Sequence, residues 1–108
     1  MTLGQKQRLF TKLLAQLINH AYILGYEISL GRGSVSPEAN AADGGHRNSC
    51  HLYRLAQDLN LFRNGRYLTS TKSHEALGLY WESLHPLCRW GGRFNDGNHY
   101  SLEHKGVK

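Results

Sequence analysis

Two stretches of this 108-residue chain carry side chains whose types and spacing suit metal chemistry. One holds His51 and Asp58; the other holds His99, preceded three residues earlier by Asp96. Two imidazoles and one carboxylate are a donor set for a catalytic zinc ion, which takes three protein ligands and keeps a fourth position for water. Such an ion lowers the pKa of water from about 15.7 toward ~7, and an unligated carboxylate at Asp96 is then placed to take the proton. The chain has seven histidines, and neutral imidazole is the commonest metal ligand. The stronger zinc signatures, a His-Glu-x-x-His helix or a Cys-x-x-Cys pair, are missing. Spacing alone therefore leaves plainer readings open: surface histidines, a strand-end carboxylate at Asp58, an ordinary Asp96-Gly97 turn.

Those residues need a scaffold to bring them together. Leu9, Leu13 and Leu17 recur every fourth residue, with Phe10, Leu14, Ile18 and Ala21 in the adjoining rows. This predicts an amphipathic helix over 3–24, with Thr2 and Gln5 as a capping box and Gly25 as its stop. Tyr26–Leu30 reads as a short strand, and the small, polar residues 31–48 as a long surface loop of functional length. Asp58, Asn60 and Phe62 alternate with Leu59 and Leu61, predicting a half-buried strand, and Asn64-Gly65 predicts a tight hairpin into Arg66-Tyr67-Leu68. A second helix is expected over 72–84, capped by Thr71 or Ser73, with Leu77, Trp81 and Leu84 on one face and Pro86 near its end. Glycine-rich 90–98 should turn into a strand at 99–103. Strands interleaved with two main helices give an α+β domain with a small antiparallel sheet.

Length and composition narrow the function classes. A chain of this length fits one domain with one modest core. Apolar residues at 40% and charged residues at 19% are a globular balance, not a disordered one. No apolar run approaches the ~20 residues of a membrane span, and MTLGQKQRLF lacks a secretory layout. A net charge of +5 suits polyanions, including acidic wall polymer. The cations are scattered singly, however, and no nucleic-acid-binding motif appears, so nucleic acid is not the expected partner. The four remaining histidines outside the loop, His20, His74, His85 and His104, are expected at the surface. Trp81 and Trp90 are expected in the core or a cleft wall. Cys50 next to His51 is a poor nucleophile–base pair, because neighbours on extended backbone face opposite ways; a Cys50–Cys88 bridge stays open.

Ser49-Cys50-His51-Leu52-Tyr53-Arg54-Leu55-Ala56-Gln57-Asp58 resembles the Ser-x-His-x-x-Gly-x-Ala-x-Asp motif of the VanY-like zinc peptidases. That family contains D-Ala-D-Ala carboxypeptidases and L-alanyl-D-glutamate endopeptidases of the small phage endolysin type. Trp90-Gly91-Gly92-Arg93-Phe94 with Asp96-Gly97-Asn98-His99-Tyr100 resembles the family's Trp-Gly-Gly…Asp-x-x-His-Phe ending. Ile28-Ser29-Leu30-Gly31-Arg32-Gly33 stands where the family has a strand followed by arginine, so the likeness spans about residues 26–103 in order.

The resemblance implies a hedgehog/D-Ala-D-Ala peptidase-like fold and a peptidoglycan hydrolase acting on stem peptides. It implies His51, Asp58 and His99 as Zn²⁺ ligands, Asp96 as general base, Arg32 as the cation that stabilises the scissile carbonyl and contacts substrate, and Ser49 as a substrate-holding residue. A D-Ala-D-Ala carboxypeptidase, or a zinc-containing wall-binding domain with no catalysis, would use the same ligands. A phage lysin further implies a monomer in the host bacterial cytoplasm that reaches the cell wall after release by a holin. The chain departs from the motif at Tyr100, in place of phenylalanine, and at Arg54, where glycine suggests backbone at positive φ.

Overall fold

A 21-residue helix, α1 (Leu3–Ile23), opens the computed structural model, which describes residues 1–108. Its N-terminus carries the expected capping box: the Thr2 hydroxyl accepts the Gln5 N–H, and the Gln5 side chain accepts the Thr2 N–H. Phe10, Leu13, Leu17 and Ala21 form its buried stripe. No helix of the chain is long and apolar enough to cross a membrane.

Four further elements follow the predicted order. β1 is Glu27–Leu30 and β2 is Ala56–Arg63. β3 is Arg66–Leu68 and β5 is His99–Leu102. A short strand that the sequence reading missed, β4 (Cys88–Trp90), completes an antiparallel sheet ordered β1-β2-β5-β4, with β3 also paired to β2. The β2–β3 hairpin turns on Asn64 and Gly65, both at positive φ (52° and 76°), the conformation a two-residue type I′ turn requires.

Residues 31–48 are not all loop. Pro37–Ala42 form a third, short helix, α2, whose N-cap Ser36 accepts the Ala39 N–H and whose first residue is proline. The 72–84 helix also begins later than expected. A 3-10 turn at Lys72–His74 leads into α3 (Glu75–Leu84), with no side-chain cap from Thr71. Ser70 does the anchoring instead: its Oγ accepts the Ser73 N–H and its carbonyl accepts the Ser73 hydroxyl.

The α+β layering follows from alternation in the strands. Leu59 and Leu61 of β2, and Tyr100 and Leu102 of β5, are fully buried. They belong to one core with α1 and α3, in which Trp81 makes edge-on contacts with Phe10 and Tyr100. Asp58 and His99 alternate with these residues and so lie on the sheet's other face. Both tryptophans are core residues, as expected. Cys50 and Cys88 are buried free thiols with no bridge between them.

His74 departs from its expected surface position. It is 2% exposed, and its Nδ1 lies 2.8 Å from the Tyr100 hydroxyl. Burial pushes its pKa down to about 4. His20 is half-buried and stacked on Tyr80, while His85 and His104 are partly covered.

Candidate metal centre and cleft

The strand register sets the first two donors. Asp58 of β2 and His99 of β5 are directly paired across the sheet, and such cross-strand neighbours have Cβ atoms ~5 Å apart. His99 Nδ1 lies 3.4 Å from Asp58 Oδ1. The third donor comes from the segment before β2, where Cys50–Tyr53 form a 3-10 turn. That turn ends at Arg54 in the left-handed region (φ 58°, ψ 38°), a conformation that glycine adopts more readily. It brings His51 Nε2 to 3.3 Å from Asp58 Oδ1. The ligand atoms of His51, Asp58 and His99 all lie within 4.8 Å of one another.

The surrounding backbone holds each donor. After β1 the chain continues beside β2: the Gly31 N–H donates to the Asp58 carbonyl, and the Asp58 N–H to the Arg32 carbonyl. The Gln57 amide donates to the carbonyls of Gly31, Arg32 and Asp58, bracing the same join. The Gly33 carbonyl lies 2.8 Å from His51 Nδ1. With Nδ1–H donating there, Nε2 keeps its lone pair for a metal, the usual way a ligand imidazole is oriented. Ser49 Oγ accepts the His51 N–H at 3.2 Å, so this hydroxyl caps the turn that carries the ligand.

The donor set fits a divalent ion. Asp58 Oδ1 is buried without a hydrogen-bond partner, a costly state for a carboxylate oxygen unless a cation faces it. Burial works to raise the Asp58 pKa, but the His51 and His99 rings, when they donate toward the carboxylate, outweigh it and hold the carboxyl at about 2. The group is therefore anionic at neutral pH. Two neutral imidazoles and one carboxylate leave a zinc ion with net charge +1 and room for a further ligand.

An open cleft of about 460 Å³ adjoins the triad, and the sequence-predicted Arg32, Ser49 and Asp96 all line it with His51 and His99. Asp96 is exposed and follows a 3-10 turn, Gly91–Phe94. Its N–H donates to the Gly91 carbonyl at 2.9 Å, and its carbonyl accepts the His99 N–H at 3.1 Å. Base candidate and ligand thus share one rigid turn. Arg32 is ion-paired with Asp43.

Asp43, Asn40 and His46 also line the cleft and were not singled out in the sequence. Their link to the site runs through α2, whose buried Asn40 donates its amide to the His46 carbonyl at 2.8 Å. The length of loop 31–48 was the only sequence signal for them. Phe94 forms another wall, its ring 5.7 Å from that of His99. Cys50 turns away from the cleft, donating to the carbonyls of Leu102 and Val107. Burial pushes its thiol up to about 11, so it is no nucleophile. Its separation from His51 arises in a 3-10 turn, where successive side chains diverge, and not on the extended backbone the sequence suggested.

No protein-family model matches the chain, and no curated protein matches it either. Among solved structures, the chain is similar to the L-Ala D-Glu endopeptidase ChiX of Serratia marcescens. The TM-score is 0.64 and the identity 20%, over 83% of this chain and 77% of that one. The two share a fold. That fold is an α+β arrangement with a small antiparallel sheet packed against helices.

Proposed function

We propose that the chain is a zinc-dependent peptidase that hydrolyses stem peptides of bacterial peptidoglycan, at the L-alanyl-D-glutamate bond. The observation that carries this reading is the convergence of His51, Asp58 and His99 beside an exposed carboxylate and an arginine in one open cleft. The likeness to an L-Ala D-Glu endopeptidase supports the choice of bond.

In this reading His51 Nε2, Asp58 Oδ1 and His99 Nδ1 hold the ion. Bound zinc supplies Lewis acidity, acidifying water and polarising the scissile carbonyl. Asp96 takes the proton of the attacking water on a carboxylate oxygen and delivers it to the departing amine. Arg32 offsets the negative charge that grows on the carbonyl oxygen, and a partly desolvated cation is effective in that role. Ser49 contributes by fixing the His51 turn, since its Oγ already accepts that backbone N–H. Phe94 supplies the one large apolar wall of the cleft.

The test is mass spectrometry of purified peptidoglycan after digestion, with and without chelator. New amino-terminal D-glutamate, lost on chelation and restored by zinc, is the expected result. Release of only terminal D-alanine would make the chain a carboxypeptidase. No new termini under any metal condition would leave a wall-binding domain and refute the proposal.

A further inference from the structure

Past Leu30 the pairing of β1 with β2 loses its one-to-one register. Leu30 stands opposite Leu59, and Gly31 and Arg32 then stand together opposite Asp58. The Gly31 N–H donates to the Asp58 carbonyl at 2.8 Å, and the Asp58 N–H donates to the Arg32 carbonyl at 2.7 Å. Two residues against one make a β-bulge, a device that re-aims a side chain. In regular alternation position 31 would share the face of Asp58, and position 32 would turn to the face of Leu59 and Leu61. The extra residue instead leaves Arg32 lining the metal cleft with His51 and His99. Glycine suits position 31, because a Cβ there would lie only 3.2 Å from Asp58 Cβ.

A second element holds the far end of the Arg32 side chain. Its Nη2 is ion-paired with the Asp43 carboxylate, while Nη1 and Nε bond no other protein atom. Asp43 closes α2, its N–H donating to the Ala39 carbonyl at 3.1 Å. α2 is fixed in turn through the buried Asn40, whose carbonyl accepts the Gly45 N–H and whose amide donates to the His46 carbonyl, each at 2.8 Å. An ion pair as exposed as this one adds little to stability. Its consequence lies in where the guanidinium is kept. Asp96, the proposed base, lines the same cleft, and a guanidinium released from Asp43 is free to pair with it.

We propose that Asp43 is a positioning residue: its carboxylate holds one nitrogen of Arg32, keeps the guanidinium off the proposed base, and leaves the other N–H groups for the carbonyl oxygen on which charge grows. One side chain can serve both partners because the guanidinium presents its donors in a fixed planar fork. The inference rests on the function proposed above and deepens it.

The experiment measures kcat and KM on a soluble stem peptide for Asp43→Ala and Asp43→Asn, each alone and combined with Arg32→Ala, with zinc content determined on every protein. Asp43→Ala should lower kcat about 10²-fold, the cost of a misplaced group, with KM little changed because the interaction belongs to the transition state. Asp43→Asn keeps an acceptor oxygen on the same frame and should recover part of that loss. In the Arg32→Ala background Asp43→Ala should cost nothing further, since the partner it positions is gone. Zinc content should stay unchanged by either Asp43 substitution. An undiminished kcat in Asp43→Ala, an equal loss in the Arg32→Ala background, or loss of zinc would each overturn the assignment. If the unaltered protein cuts no stem peptide, the proposed peptidase activity fails, and nitrogen NMR of the Arg32 guanidinium decides its placement alone. Separate Nη signals at low temperature that merge in Asp43→Ala support a held guanidinium, and signals already merged in the unaltered protein refute it.

Discussion

Gly91→Ala is the substitution that most sharply couples fold to site. A Cβ at this position would lie 2.1 Å from the Asp96 carbonyl oxygen and 2.6 Å from His99 Cβ. Ordinary contact begins near 3.4 Å, so the Asp96 backbone must retreat by about 1.3 Å and His99 by about 0.8 Å. Neither can move alone, because the Asp96 N–H is bonded to the Gly91 carbonyl and the Asp96 carbonyl to the His99 N–H. Overpacking of this kind costs about 1–3 kcal/mol of stability, and an ångström-scale shift of positioned groups costs about 10²-fold in turnover. The assay pairs urea denaturation with turnover and zinc affinity on one preparation. The expected outcome is a folded, destabilised protein, with turnover reduced about 10²-fold and weakened metal binding. A variant with unaltered stability and turnover would show that the Gly91–His99 turn is not the rigid link described here.

Three further outcomes follow from local features. Replacing Arg54 by glycine relieves a side chain at φ 58° and should raise stability by about 1 kcal/mol, or roughly 4–8 °C in Tm; a drop in Tm would contradict that reading. His74 has a native pKa depressed from 6.5 to about 4, so the unfolded chain takes up this proton first. Stability should fall by about 3 kcal/mol as pH drops through the 6.5–4 window. His74→Gln should lack that loss in denaturation curves, and parallel curves for the two proteins would refute the burial argument. Adding zinc at about 100 times its Kd should stabilise the protein by about 2.7 kcal/mol, and His51→Ala should abolish the shift in Tm.

The parts of the fold legible in the sequence are those set by local pattern. The four-residue leucine spacing of α1, the Thr2–Gln5 box and the Asn64-Gly65 turn each act over a few residues, and each appears in the structure. The alternation around Asp58 likewise placed that carboxylate on the face opposite Leu59 and Leu61. β4 escaped notice because three residues, Cys88-Arg89-Trp90, are too few to show a period; their strand character comes from pairing with β5. α2 does carry signals in Ser36-Pro37-Glu38, but one and a half turns of small residues hold together only because Asn40 is buried against the 44–46 turn. Of the site, the three donors were legible as motifs. Asp43 and His46 were not, because their place in the cleft depends on where α2 returns the chain. His74 reads as polar in Lys72-Ser73-His74-Glu75, and only the arrival of Tyr100 from β5 makes it a core residue.

In the proposed chemistry three residues grip the ion and a different one moves the proton. Zinc content by atomic absorption, measured beside turnover in Asp58→Ala, His99→Ala and Asp96→Ala, tests it most directly. The first two should lose both zinc and activity, while Asp96→Ala should keep about one zinc per chain and lose turnover by about 10²-fold or more. An Asp96→Ala protein empty of zinc, or an Asp58→Ala protein that still holds it, would overturn this division of roles.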